Sequence, residues 1–344
     1  VIAPTARRGV GHASCHHGEI LQGVFLDAGG RRCAGLVTLP MTGLGSRAEF
    51  TRRPGTAPER IGVLPGGRTK AARAAALAVA ECAPRCQEAP CGGELRIASD
   101  IPVGLGMGSS TSDVIAVVRA VADSYGVRLA PDTVARLAVR AETACDPLML
   151  DARPVLFAQR EGRVLEVLGP RLPPLVVVGC ALGGGAPVDT LSLPVPAHDA
   201  SDVRAFERLR ALLRRAVATG DAALLGQVAS ASARRGQQVL RQREFGTLTD
   251  IGRRLGAVGV QIAHSGAVAG LLLDPAAGGL RHRVRSCVRA LESNGIAATR
   301  TFTTFPTPPH PPTNREFPSG PAHRGGHRPT GPDTPRRAAR LPAL

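Results

Sequence analysis

The chain has no tryptophan, one tyrosine and a single lysine among its 344 residues. Aromatics amount to 3%, so a core has to be assembled from Ala, Val and Leu, which the 43% hydrophobic content supplies. The same shortage argues against a single-stranded nucleic-acid binder, which needs stacking platforms. The net charge of +16 at first suggests an anionic partner. Lys70 is the only lysine, however, so 42 of the 43 basic residues are arginine. Those arginines are scattered, as a coding bias would scatter them, and no nucleic-acid partner is expected. An apolar run of the ~20 residues needed to cross a bilayer is absent. The opening "VIAPTARRGVGHASC" has no apolar leader core, so a cytoplasmic protein with no membrane partner is expected. Cysteine pairing is missing as well. Cys82, Cys86 and Cys91 form C-x3-C-x4-C with no partnering Cys pair or His cluster, which excludes the usual zinc frameworks.

What is present is an alternation of strand-like and helix-like segments in an α+β order. Residues 35–41 and 46–52 alternate like strands. Residues 69–83 read as an Ala-rich helix with Thr69 placed to cap it, and 94–102 as a strand ending at Pro102. Helices are predicted over 112–126 and 131–147, the second capped by Asp132 and ended by Asp146–Pro147. Residues 153–169 read as a hairpin turning at Glu161–Gly162. Beyond 170 come a buried strand (173–182), helices over 202–218 and 221–235, a helix leading into a strand (247–263), a turn and strand (264–275), a helix (280–295) and a strand (296–304). Residues 305–344 are dense in Pro, Gly and Arg and poor in apolar residues, the composition of a disordered tail.

The densest chemical signal is "IPVGLGMGSSTSD", residues 101–113. A strand ends, Gly104, Gly106 and Gly108 follow, and Ser109, Ser110 and Thr111 open a helix. Glycines let backbone N–H groups converge on an anion, and a helix start adds free N–H groups and partial positive charge. Hydroxyls there suit phosphate oxygens or Mg²⁺. No G-K-[ST] follows, which excludes a Walker A loop. The dinucleotide fingerprint fails too, because neither its third glycine nor the later acidic residue is in place.

These residues resemble the ATP loop of the GHMP kinases, P-x-x-x-G-L-G-S-S-A, over Pro102 to Thr111 (Pro102, Gly104, Leu105, Gly106, Met107, Gly108, Ser109, Ser110, Thr111). Met107, Ser109, Ser110, Thr111 and Asp113 are similar to the variant of the L-threonine kinase branch, which serves cobalamin biosynthesis. Two further stretches fit. "ASCHHGEILQGV" (13–24) resembles that branch's A-S-C-G-E-x-x-Q-G, with His16 and His17 as an insertion. "AHSGAVAGLLLD" (263–274) resembles the family's third motif, a small-residue turn packed on the ATP loop. The resemblance implies ATP and Mg²⁺, and a small amino-acid alcohol contacted by Glu19, Gln22, Gly23, Ser265 and Gly266. Another alcohol such as homoserine, or nucleotide binding without turnover, are the alternatives.

The acidic residues complete the reading. Glu142 and Asp146 are spaced i, i+4, so a helix reaching residue 147 would stack both on one face at its C-terminal end, where a cation would relieve their repulsion. By resemblance, Ser110 and Glu142 are the Mg²⁺ ligands and Asp146 the carboxylate that orients or deprotonates the acceptor hydroxyl. Asp151 is the rival for that role. Lys70 fits a family lysine near the nucleotide and equally a solvated helix lysine. The implied fold is a two-domain GHMP kinase. Its parts are a ribosomal-protein-S5-like ATP-binding domain (1–168), a ferredoxin-like domain (169–304) and the tail, with a homodimer compatible.

Overall fold

Two long strands organise the first half of the chain. β1 (Arg8–Leu26) and β2 (Arg32–Arg52) pair antiparallel, and the Asp27 carboxylate closes the turn between them by accepting the N–H groups of Gly29 and Arg31. The alternation at 35–41 and 46–52 thus belongs to one strand. Pro40 and Gly43 interrupt its pattern, and the register slips between Ser14 and Cys15 opposite them. β3 (Ile61–Leu64), β4 (Gly93–Ser99), β5 (Val155–Ala158) and β6 (Arg163–Val167) complete a six-stranded sheet of order β3-β4-β2-β5-β6, with β1 on β2. β5 and β6 are the predicted hairpin, with Gly162 at φ +65° in its turn.

Helices α1 (Thr69–Cys82), α2 (Ser109–Ser124) and α3 (Pro131–Glu142) cover one face of this sheet. Ala71, Ala74, Ala75 and Ala78 bury the inner side of α1 against the valines of α2, so the aromatic-poor composition yields tightly packed helices. The predicted caps are not used. Arg68 holds the cap position of α1 without a side-chain bond, and α3 starts with Pro131 after Ala130, leaving Asp132 in the first turn.

α3 also ends earlier than expected, at Glu142, and this corrects the i, i+4 argument. Thr143 turns left-handed at φ +72°, and its N–H bonds to the Val139 carbonyl at 2.7 Å. Pro147 disfavours helical backbone at Asp146. Glu142 and Asp146 therefore share no helical face.

The second sheet holds β7 (Val176–Ala181), β8 (Gly259–Ile262), β9 (Val268–Leu273) and β10 (Ala297–Thr303) in the order β10-β7-β9-β8. All its pairs are antiparallel. Fourth, first, third, second is the strand order of the ferredoxin-like arrangement. Helices α4 (Ala200–Thr219), α5 (Ala222–Gly236), α6 (Phe245–Arg254) and α7 (Leu280–Ser293) accompany it. Leu248 and Ile251 of α6 and Cys287 and Leu291 of α7 pack on one face of the sheet. Leu213 and Leu225, on α4 and α5, instead join a core with Ile20, Leu21 and Phe25 of β1 and Val177, Val268 and Leu272 of the second sheet. That shared core is what fixes β1 against the second sheet. Its Phe25–Phe206 ring pair, 5.9 Å between centroids, is worth about 1 kcal/mol beyond burial.

The computed structural model describes residues 7–151, 153–186, 198–264 and 266–305. Contacts divide the chain into Val1–Pro306 and Thr307–Leu344, and the predicted tail lies outside the described residues from 306 onward. Among the described residues, no helix is long and apolar enough to cross a membrane.

Candidate active site

The glycine stretch forms the rim of a cleft of about 550 Å³. Gly104, Gly106 and Gly108 adopt φ of +77°, +83° and +71°, backbone that other residues seldom tolerate. Gly108 is the cap residue of α2 and supplies no side-chain bond, so the first-turn N–H groups point free at the cleft. Gly108 carries a second constraint. A Cβ there would lie 2.6 Å from the His16 ring and 3.2 Å from Asp146 Oδ2.

The hydroxyls at the start of α2 reach α3. Ser110 Oγ donates to Glu142 Oε2 at 2.6 Å, and Thr111 Oγ1 donates to Glu142 Oε1 at 2.7 Å. Lys70 Nζ, from α1, stands 3.9 Å from Glu142 Oε2 and 3.4 Å from Ser110 Oγ. Burial pushes the Glu142 carboxyl up to about 7. The two hydroxyl donors oppose that rise, the Asp146 charge adds to it, and Lys70 works against it.

The opposite wall comes from an irregular segment of β1. His16 pairs with Pro40 and Glu19 with Thr38, so three steps on β1 face two on β2. The extra residue, with Gly18 at φ +68°, makes a bulge of the kind that re-aims side chains. His16 and Glu19 both face the cleft from it. His16 Nε2 lies 3.1 Å from Asp146 Oδ2, and Asp146 N–H reaches Thr111 Oγ1 at 3.4 Å. Burial works against a charged His16, but Asp146, then Glu19 and the Gly18 carbonyl, win and lift it to about 9. Burial likewise opposes ionisation of Asp146, yet His16 and Thr111 hold its carboxyl below the usual range. Glu19 Oε2 accepts the His264 N–H at 2.9 Å and sits 3.5 Å from His264 Nδ1.

The structure thus brings together Gly104, Gly106, Met107, Gly108, Ser109, Ser110, Thr111, Glu142, Asp146, Glu19 and Gln22 around one cleft. Other predicted residues stand elsewhere. Pro102 is exposed. Leu105 turns toward the shared core, and its carbonyl accepts the Val268 N–H at 3.0 Å. Gly23 lies against the Phe206 ring, where a side chain would collide with it. Gly266 packs behind the loop on Leu105 and Gly106, leaving no room for a Cβ. Ser265 lies outside the described residues. Asp151 points to solvent with its side chain 87% exposed, 3.7 Å from Arg119, and is not among the residues lining the cleft, whereas Asp146 is. Asp113 ties α2 to its surroundings, accepting from Ser46 Oγ at 2.6 Å and pairing with Arg68.

His16 and His264 escaped the reading of the sequence as site residues. The two-histidine insertion was a visible signal for the first, and the second sits inside the 263–274 stretch, where only its small residues drew notice.

Comparison with known proteins bears on the family and the fold. The family described as "GHMP kinases N terminal domain" matches residues 70–152. The L-threonine kinase of Citrobacter freundii is 27% identical over 190 residues, covering 52% of this chain and 61% of that protein. The L-threonine kinase of Salmonella typhimurium is 28% identical over 178 residues, covering 52% and 59%. The match therefore spans about three fifths of these relatives. Homoserine kinase from Cytophaga hutchinsonii shares the fold, with a TM-score of 0.59 at 14% identity over 89% of this chain and 96% of that one. Residues 70–152 thus resemble the N-terminal domain of the GHMP kinases, on a fold that the homoserine kinase shares.

Proposed function

We propose that the protein is an ATP-dependent kinase that phosphorylates the hydroxyl of a small amino-acid alcohol, L-threonine first among candidates. The observation that carries the reading is the convergence of Ser110, Glu142, Lys70 and Asp146 on one cleft at the N-terminus of α2. The matched L-threonine kinases support the choice of acceptor. We further propose that residues 1–168 form the nucleotide-binding domain and 169–304 the domain that closes on it.

Phosphoryl transfer depends on positioning and charge neutralisation more than on covalent help from the protein. The loop N–H groups and the α2 N-terminus bind the phosphates. Lys70 adds a positive charge beside them. Mg²⁺ fits the donor set, because Ser110 Oγ and the buried Glu142 Oε2 are hard oxygens 2.6 Å apart, with the Lys70 ammonium no nearer to that carboxylate than 3.9 Å. Ser110 and Glu142 would hold the ion, which when bound neutralises charge on phosphate oxygens. Asp146 accepts a hydrogen bond from the acceptor hydroxyl. As the new O–P bond forms and ADP departs with the electrons of the broken bond, the proton passes to Asp146. A carboxylate held below the usual range is a weak base, which suits a loose transition state where that transfer comes late. Glu19 and Gln22 face the same space and suit an ammonium group.

The test is ATP turnover with threonine, serine, homoserine and related alcohols, with Ser110→Ala as control. Turnover with homoserine alone would move the acceptor. ATP binding with no turnover would make the protein a nucleotide binder, and failure to bind ATP would overturn the reading.

A further inference from the structure

The bulge of β1 sets two adjacent histidines in opposite electrical settings. His16 Nδ1 lies 3.1 Å from the Gly18 carbonyl oxygen. A carbonyl only accepts, so Nδ1 carries a proton. Nε2 is then left facing Asp146 Oδ2 at 3.1 Å, and a Glu19 carboxylate oxygen lies within 4.8 Å of an imidazole nitrogen and of an Asp146 oxygen. An unprotonated Nε2 would turn its lone pair onto carboxylate oxygens inside a site where His16 is 1% exposed. A second proton converts that repulsion into attraction. The approach to Asp146 is close but off-line for a hydrogen bond, which marks it as an ion-pair contact. His17 is also buried, yet it meets Gln261 Oε1 at 3.1 Å and lies tilted against the Phe302 ring, 5.1 Å between centroids. Burial pushes it down to about 4, so it stays neutral.

We infer that His16 is a positioning residue: an imidazolium wedged between the Gly18 carbonyl and Asp146 that keeps Asp146 ionised and aimed at the acceptor hydroxyl. The role assigned to Asp146 rests on the kinase reading above, whereas the charge state of the pair does not. The packing around His16 supports the assignment. From β1 it is faced by Glu19 and neutral His17, and from the turn after α3 by Asp146. The start of α2 contributes uncharged Gly108 and the Met107 carbonyl, which accepts the His16 N–H at 3.3 Å. Farther out, Glu142 neighbours Asp146 and His264 sits behind Glu19. The nearest charges are therefore negative. Gly108 completes the device, because any Cβ there would push His16 from Asp146.

Two readouts on the full chain test this. The first is ¹⁵N-histidine NMR between pH 5 and 10 on the wild type and Asp146→Asn, with His16→Gln used to assign the resonance. Both His16 ring nitrogens should stay protonated through pH 8 in the wild type and lose one proton at lower pH in Asp146→Asn. The second is kinetic. His16→Gln should lower kcat about 10²-fold with KM for ATP changed less than about threefold, and should move the acid limb of the kcat profile to higher pH. A merely structural role would leave that limb in place. A neutral His16 at pH 7 overturns the inference, as does wild-type kcat with an unmoved limb in His16→Gln. The same three groups could instead close on a divalent cation, so an Nε2 signal that shifts with Zn²⁺ and recovers with EDTA also overturns it. If the wild type phosphorylates nothing, the kinase reading falls and the NMR result still decides the pair. If His16→Gln does not fold, the His16 resonance is assigned as the one whose titration moves in Asp146→Asn, and the absence of any such resonance overturns the inference.

Discussion

The two walls of the cleft are encoded in different ways. One wall, the 101–113 loop, is contiguous, and its glycines and hydroxyls sit together in the chain. The other wall is a bulge in β1, where one extra residue swings His16 and Glu19 into the site. The first wall offers backbone N–H groups at the start of α2. The second is a set of side chains whose contacts reach partners far away in sequence, Asp146 and His264. The lesson is that the wall proposed to hold phosphate is specified locally, and the wall proposed to meet the acceptor, the acceptor end, by tertiary structure.

The sharpest way to break this comparison is at the acceptor end. Asp146→Asn should cost about 10³-fold in kcat with ATP binding retained, whereas Asp151→Asn should be silent in steady-state kinetics. Next comes the point where the walls meet. Gly108→Ala must adopt a left-handed backbone and collide with His16, so chemical denaturation should show a loss of about 2 kcal/mol.

The pH dependence of stability comes third, and its sign is fixed by the pair. His16 rises from 6.5 to about 9 in the folded chain, so its contribution is complete below pH 6.5 and is lost as pH climbs through 9. The loss is at most about 3 kcal/mol, read from melting curves, and Asp146→Asn should flatten it. Glu142 behaves differently. Its carboxyl is raised from 4.5 to about 7, so keeping it buried and ionised costs stability as pH rises across that interval. Glu142→Gln should therefore stabilise the protein at pH 8 by about 1–2 kcal/mol, while weakening the Mg²⁺-dependent part of nucleotide binding in calorimetry. The smallest effect is expected at Asp113→Asn, which loses the pairing with Arg68 and should lower stability by about 1 kcal/mol with kcat unchanged.

The same contrast explains what was legible in the sequence. The strand, glycine run and helix start around residues 101–113 follow from local backbone preferences, and so do most helices of both halves. The hairpin at 155–167 was announced by Glu161–Gly162. The end of α3 was not, because Thr143 gives no hint that it turns left-handed. The merging of 35–41 and 46–52 into β2 depends on pairing with β1, which no window of residues reveals. Glu142 and Asp146 do lie in one site, but through the turn at Thr143 and the pull of His16 and Thr111 rather than through a shared helical face. Gly266 is recognisable as part of a small-residue turn, and only the fold shows that it braces the back of the loop.

The central claim is that this cleft moves a phosphoryl group from ATP to a small amino-acid alcohol held by Asp146. The most direct measurement is ³¹P NMR of ATP, Mg²⁺ and L-threonine incubated with the wild type and with Asp146→Asn. The account predicts a phosphate monoester signal growing with ADP in the wild type and nearly absent in the variant, with ATP still bound. Equal product from both proteins would contradict it, as would ATP bound by the wild type with no phosphorylated acceptor across the alcohol panel.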